Sequence, residues 1–402
     1  MTVALAGCVA SGGTPLGGAS FPYPAANGSA PGKQTVAILL PLTGPRAEVG
    51  QSMLRAAQMA LAAPGSPVLL AKDTAGTAEG AAAAAQAGIA AGAGLILGPL
   101  TSAETAAVAP VARAAGVAVL AFTNDSARAQ PGVWTLGITP AQQVHRLVGA
   151  VQDQNKTRFA AMVPESDFGR AMRQALIQAT ATRGLPTPET RGYGQGMASI
   201  TAAVRDISDY NGRRGPADAR IRAARAAGGV NGRREAATLG KQGVPPPPMD
   251  ALLLADTGEP LSEIAALMPY YDLDRGSVRV LGPTLWADPA SQSGQFPGAW
   301  YAAPDPAFRA DFVQAYVAKY GIPPSPVADL AVDAASIARL LAAGPGFSVG
   351  ALTSPAGFAG VDGTIALLAD GQVRRSLAVF EVQRGGAQMV APAPQSASAP
   401  GS

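Results

Sequence analysis

Two adjacent hydroxyls, Thr101 and Ser102, lie in the octet GPLTSAET (Gly98 to Thr105), behind the apolar run LILG and ahead of an Ala-rich stretch. A strand that ends at Gly98 and Pro99, followed by a helix that begins at these hydroxyls, leaves unpaired N–H groups and the positive end of the helix dipole beside them. Such a terminus can hold an anion. It can also simply cap itself, with Ser or Thr as the N-cap and Glu104 or Thr105 adding to the arrangement. On the octet alone both readings stand.

Other chemistry lacks its motifs. GQSML at Gly50 to Leu54 misses the closing Gly of GxSxG, and no GxxxxGK[ST] occurs. GAGLILG at Gly92 to Gly98 leads into a strand rather than out of one, the wrong context for a dinucleotide fingerprint. The chain has one Cys and one His, which excludes intrachain disulfides and Cys/His zinc sites. The His, His145, lies in a helical pattern beside Arg146 and reads as a partly exposed helix residue. The expectation is binding rather than catalysis, with no cofactor and no metal.

The elements that position these groups follow from periodicity. TVAILLPL, PVLLAKD, LILGPL and VAVLAF are apolar runs of strand length, and they alternate with the helical stretches RAEVGQSMLRAAQMALAA, AEGAAAAAQAGIAAG and SAETAAVAPVARAAG. That alternation predicts a parallel, doubly wound sheet ending near Pro140. A second set follows, with AQQVHRLVGAVQDQN, RFAAMVP, FGRAMRQALIQATATRG, DALLLADT and VRVLGPTLW, and predicts a second lobe of the same class. At 402 residues the chain is long enough for two such lobes, each with its own core. No run approaches 18 strongly apolar residues, so no membrane span is expected.

Charge is uneven. The net charge is +3, yet residues 205–248 alone hold nine Lys or Arg against four Asp or Glu. Basicity therefore belongs to one segment, which argues against nucleic acid as a partner of the whole fold. That segment is rich in Gly and Arg and ends in four prolines, and it reads as a solvated insertion, helical in part at 217–227 and closed by a stiff Pro run, with a basic docking arm as the functional alternative. A hairpin is expected late, with its turn at Ala369 to Gln372, and residues 387–402 are expected to be disordered.

LAGC at Leu5 to Cys8 resembles a bacterial lipobox, which would leave Cys8 as a lipidated N-terminus. The following SGGTPLGGASFPYPAANGSAPGK then reads as a flexible tether through residue 33.

Taken in order, VAILLPLTGPRAEVGQSMLRAAQMAL, ILGPLTSAETAAVAPVARAAGVAVLAF, ESDFGRAM, VRVLGPTLW and AWYAAPDPAFRADFVQAYVAKYG resemble the type I periplasmic-binding-protein superfamily, in its Leu/Ile/Val-binding-like branch. The resemblance runs from about Lys33 to Gly385. Within the branch, PLTGPRAEVGQSML, the LWADP stretch and the lipobox look most like penicillin-binding protein activator lipoproteins, which act on peptidoglycan synthases from the outer membrane.

The resemblance implies two α/β Rossmann-like lobes joined by three crossovers, near Gly137 to Pro140, Pro304 to Pro306 and Gly346 to Gly357. Lobe 1 would then hold 34–139 and 306–350, and lobe 2 would hold 140–305 and 351–386. A ligand would lie in the cleft between them. Ser102 matches the serine that binds a ligand carboxylate, with Thr101 and the nearby amides assisting. Thr123 and Asn124 of AFTND fall on the neighbouring contact loop. Phe168 stands where the amino-acid receptors often carry Tyr. Thr284 stands where they place the Glu that pairs with the ligand ammonium, and Asp256 is the available substitute.

The resemblance therefore implies an extracytoplasmic, periplasmic binding lipoprotein that is not an enzyme. Its expected partners are a carboxylate-bearing ligand such as an amino acid or muropeptide, a peptidoglycan synthase, and the outer membrane through the lipid anchor. The alternative is the substrate-binding component of an amino-acid ABC transporter.

Overall fold

The computed structural model describes residues 34–242, 245–273, 276–291 and 293–394, so Cys8 and its tether lie outside the described residues. The first lobe begins with β1 (Thr35–Leu40), α1 (Ala47–Ala60), β2 (Val68–Asp73), α2 (Ala78–Ala90), β3 (Ala93–Leu97), α3 (Ser102–Ala114), β4 (Ala118–Ala121) and β5 (Val133–Thr135). Its five strands are all parallel, in the order β2-β1-β3-β4-β5. Helices cover both faces, which is why β1 and β4 read as unbroken apolar runs rather than alternating ones. One face packs on α2 and α3 through small side chains such as Ala81, Ala85 and Ala112, and the other packs on α1.

The chain then crosses over and builds α4 (Pro140–Gln152), β6 (Phe159–Pro164), α5 (Asp167–Thr182), β7 (Glu189–Tyr193), α6 (Met197–Ile207), α7 (Tyr210–Ala227) and α8 (Gly229–Gly240). It continues through β8 (Ala251–Leu254), α9 (Glu259–Leu267), β9 (Arg279–Gly282) and β10 (Trp300–Ala303). A second crossover returns it to lobe 1 as α10 (Pro306–Tyr320), α11 (Ala328–Ala342), α12 (Val349–Leu352), β11 (Phe358–Gly360), β12 (Gly363–Leu367) and β13 (Val373–Arg375). β14 (Ala378–Gln383) and β15 (Gly386–Ala391) close the lobe 2 sheet, whose order is β15-β14-β10-β9-β8-β6-β7. β14 and β15 are its antiparallel edge, and the other five strands run parallel. Among the described residues no helix is long and apolar enough to cross a membrane.

Three particulars depart from expectation. The third crossover falls between Arg375 and Ala378, not near 346–357, so residues 351–376 belong with lobe 1 rather than lobe 2. The cause is apolar: Phe358, Ile365, Leu367 and Val373 of the small three-stranded sheet are buried in one core with Trp134 and Leu330. The expected hairpin is present as β12 and β13, and Trp134 Nε1 fastens its turn by donating to the Leu368 carbonyl at 2.7 Å. The second departure is in the basic insertion, which is helical almost throughout, because α7 and α8 pair around Ile221, Ala224, Ala236 and Leu239. Finally, the expected disorder of 387–402 does not hold for 387–391, which form β15 against β14.

All three crossovers converge on one buried group of charges. Arg375, 1% exposed and at the third crossover, donates from Nε to the Leu136 carbonyl at the first crossover (2.8 Å) and from Nη1 to Asp333 Oδ2 on α11 (2.9 Å). Arg309, just past the second crossover, pairs with Asp329. Asp333 Oδ1 accepts the Val361 amide at 2.7 Å, and Asp362 beside it is 7% exposed. Three buried carboxyls thus face two guanidiniums, and Arg does not deprotonate. The imbalance is relieved on Asp362, whose pKa is raised to about 6 by burial first and then by the Asp329 charge. Burial also pushes Asp329 and Asp333 upward, against the pull of Arg309 and Arg375 respectively.

Arg375→Met strands the Asp333 charge and should lower unfolding free energy by about 3–5 kcal/mol in denaturant titration. Asp362 has a folded pKa above its unfolded value, so the stability it contributes is complete below about pH 4 and declines as pH rises through about 6. Asp362→Asn should therefore gain stability relative to the parent between pH 5 and pH 7.5, on the order of 1–2 kcal/mol, read by thermal melts across pH.

Candidate functional site

The lobe 1 half is built on the turn from β3 into α3. Gly98 has φ +92°, and a Cβ there would sit 2.5 Å from the Leu39 carbonyl oxygen, so the turn needs glycine. Thr101 is the N-cap of α3. Its hydroxyl oxygen accepts the Glu104 amide at 3.3 Å, while the Glu104 carboxylate accepts the Thr101 amide (2.9 Å) and hydroxyl (2.7 Å). Glu104 is wholly buried and also accepts the Thr74 hydroxyl at 2.5 Å, which locks the start of α3 to the loop after β2. The capping reading therefore describes Thr101, whose hydroxyl is spent inside the fold.

Ser102 is engaged differently. Its hydroxyl donates to Asp125 Oδ2 at 2.6 Å, and Asp125 also accepts the Ala127 amide (3.0 Å) and Arg128 Nε (3.2 Å). Burial pushes the Asp125 pKa up, but the Ser102, Ala127 and Arg128 bonds outweigh it and hold the carboxyl below its usual value. A carboxylate of the chain itself thus occupies the serine expected to meet a ligand carboxylate. Thr123 is buried, and its hydroxyl oxygen accepts the Asp125 amide at 3.1 Å; Asn124 is exposed.

The lobe 2 half lies at the C-terminal ends of β6, β7 and β8. Phe168, in the first turn of α5, is half-buried against the core between α4 and α5. Asp256 follows β8 and accepts the Tyr193 hydroxyl at 2.7 Å and the Thr257 amide at 2.8 Å, while its carbonyl accepts Trp286 Nε1 at 2.9 Å. Burial, then the Asp256 bond and charge, drive the Tyr193 phenol well above its usual pKa, so it stays a neutral donor. Thr284 is used structurally: its hydroxyl donates to the Ala302 carbonyl (2.6 Å) and its amide to Gln143 Oε1 (2.8 Å).

Beside Asp256 a cavity of ≈ 520 Å³ is lined by Glu165, Tyr193, Gln195, Asp256, Glu259 and Glu263 among others, and no Lys, Arg or His lines it. Four carboxylates around one concavity favour a cationic group. No hydrogen bond or ion pair among the described residues joins the Ser102 group to the Asp256 group.

The residues that sequence reasoning missed are Asp125, Tyr193, Glu165, Glu259 and Glu263. Asp125 closes AFTND and Glu165 opens ESDFG, so both lay within quoted motifs. Tyr193 ends an edge strand and carried no signal. His145 is half-buried beside Arg183, its pKa lowered to about 4 by burial and then by Arg183 and Arg374, so it is neutral near pH 7.

The two lobes, the three crossovers and a candidate cleft at strand C-termini define the type I periplasmic-binding-protein fold. Residues 33–213 match the family model described as periplasmic binding protein. An uncharacterized protein of Rickettsia prowazekii (strain Madrid E) is 26% identical over 175 residues, 43% of this chain, and the match spans 47% of that protein's own length. Among solved structures, a protein of Rhodospirillum rubrum assigned to a branched-chain amino acid ABC transporter superposes with TM-score 0.67 at 20% identity, covering 89% of this chain and 100% of the other. Full-length LpoA of Haemophilus influenzae gives TM-score 0.64 at 16% identity, over 90% of this chain and 59% of that one. Its C-domain, described as a regulator of PBP1A, gives 0.61 at 15%, over 89% and 100%.

Ser102→Ala should cost about 1 kcal/mol of stability, because it removes one charge-assisted hydrogen bond from a partly exposed carboxylate. The same change should move the Asp125 carboxyl up towards its ordinary pKa, observable by carbon-detected NMR titration.

Proposed function

We propose that this chain is a non-enzymatic, lipid-anchored periplasmic protein that keeps the binding-protein fold but regulates peptidoglycan synthesis by contact with a synthase. The observation that carries this reading is the Ser102–Asp125 bond at 2.6 Å. A ligand carboxylate brought to Ser102 would meet the ionised Asp125, and like charges at contact distance are strongly unfavourable in a closing cleft. Thr284 reinforces the reading, since its hydroxyl and amide are both bound within the fold and neither replaces an acidic partner for an ammonium group. Resemblance to LpoA supports a regulatory role at the level of fold. Cys8 would supply the anchor to the outer membrane.

A second reading, the binding component of an amino-acid transporter, is favoured by the acidic cavity of ≈ 520 Å³, where Asp256 and its neighbours could take an ammonium group. Muropeptides carry both carboxylates and amines and suit either reading.

In thermal-shift screens, free amino acids should leave the melting temperature unchanged, and a purified peptidoglycan synthase should polymerise faster when the protein is added. A saturable rise in melting temperature with an amino acid, abolished in Asp256→Asn, together with no effect on the synthase, would install the transporter reading instead.

A further inference from the structure

The α7–α8 hairpin divides its cations into two groups. At its base Arg213 is buried and donates to the carbonyls of Ser208 (2.7 Å), Pro245 (3.0 Å) and Tyr271 (2.9 Å). Arg214 forms a two-pronged bond with Asp272, both contacts at 2.7 Å. These two fasten the hairpin to lobe 2. Towards its far end the pattern inverts: Arg220, Arg222, Arg225, Arg233 and Arg234 are exposed, and none of them forms an ion pair among the described residues. From Arg220 to Glu235 they meet a single acid, Glu235 itself.

The tip adds an apolar element. Gly228 and Gly229, at φ +72° and +65°, turn the chain, and Val230 immediately after them is 58% exposed. The helices come close just behind it, since a Cβ on Gly232 would lie 2.5 Å from the Ala224 carbonyl oxygen. The hairpin's core is only Ala224, Ala236 and Leu239 with Ile221 beside them, too little apolar surface to add much to the stability of lobe 2.

We propose that the distal end of this hairpin docks on an anionic phospholipid bilayer. At about 100° per residue, positions 222 and 225 lie side by side on α7 while 220 lies about 140° or more from both, so the three form no single face for a protein partner. What the five arginines share is the distal half of the hairpin, with Arg225, Arg233 and Arg234 within five residues of Val230. A plane met end-on reaches Arg225, Arg233 and Arg234 first and Arg222 and Arg220 on closer approach, and a bilayer offers anionic headgroups to the guanidiniums with an apolar layer beneath for the valine. The remainder of the chain, with the Tyr210–Gln242 segment set aside, is net acidic, which turns the hairpin rather than the lobes towards such a surface.

The test uses the full chain carrying Cys8→Ser, so that no acyl chain contributes. Sedimentation with vesicles of phosphatidylcholine and phosphatidylglycerol at roughly 2:1 should capture the protein, and phosphatidylcholine alone should not. Capture should fall steeply as salt rises from about 0.05 to about 0.3 M, as the screening length shortens. Replacing Arg220, Arg222, Arg225, Arg233 and Arg234 together by Gln should weaken capture about tenfold or more. Val230→Ser should weaken it several-fold with every charge retained. Matching thermal melts would show that both variants keep the fold. Equal capture by the two vesicle types, or parental capture by the five-Gln variant, overturns the proposal. So does displacement by polyglutamate combined with insensitivity to Val230→Ser, which would identify an acidic protein as the partner.

Discussion

The architecture hangs on the buried ion pair between Arg375 and Asp333 and on the carbonyl of Leu136 that the same guanidinium holds. One side chain therefore touches the ends of the first and third connections between the lobes, and Arg309 with Asp329 secures the second. Buried ion pairs contribute little net stability compared with apolar residues of the same shape, because desolvation offsets attraction. What they supply is geometry, since a guanidinium with fixed donors accepts few alternative arrangements of the strands that feed it. Two α/β lobes made from interleaved segments need such a fixed point, or their relative placement would be left to three short linkers.

At the candidate cleft the same physics runs in the other direction. Ser102 and Asp125 form a hydrogen bond where a receptor for an acid would leave its donors free, and the fold thereby satisfies in place what a ligand would otherwise satisfy. Across in lobe 2, Tyr193 and Asp256 form a comparable closed pair, but the carboxylates around them have no cation lining the same cavity. The excess of carboxylates therefore lies in the lobe 2 half alone, since Arg128 offsets Asp125 in lobe 1.

Much of this was legible in the sequence because it follows from periodicity. The parallel sheets, the end of the first lobe near Pro140 and a cap at the start of α3 are encoded within a few residues of where they occur, whereas the return near Pro304 to Pro306 was implied only by the resemblance. The third crossover was not, because GTIAL and VRR read equally well as strands in either lobe; only burial against Trp134 assigns them. Helicity of 210–240 was obscured by Gly content and Pro216, which lower local propensity, and by a charge run that reads as solvated, while pairing of two weak helices restores it. The partner of Ser102 was hidden for a similar reason. Asp125 lies 23 residues away in sequence, and no spacing rule relates a helix N-terminus to the loop of the next strand.

The interleaving of segments has a consequence for the newborn chain. Trp134 finds its acceptor 234 residues later, at Leu368, and α1 packs against α11, which begins only at Ala328. When a ribosome has made the first 300 residues, the central strands of lobe 2 are complete, while one face of the first sheet still has only α1 as cover. Contacts this distant in sequence form late and slowly. The polypeptide thus stays loose and apolar on that side until its final quarter emerges, a state in which chaperones meet an unlocked chain rather than a finished domain.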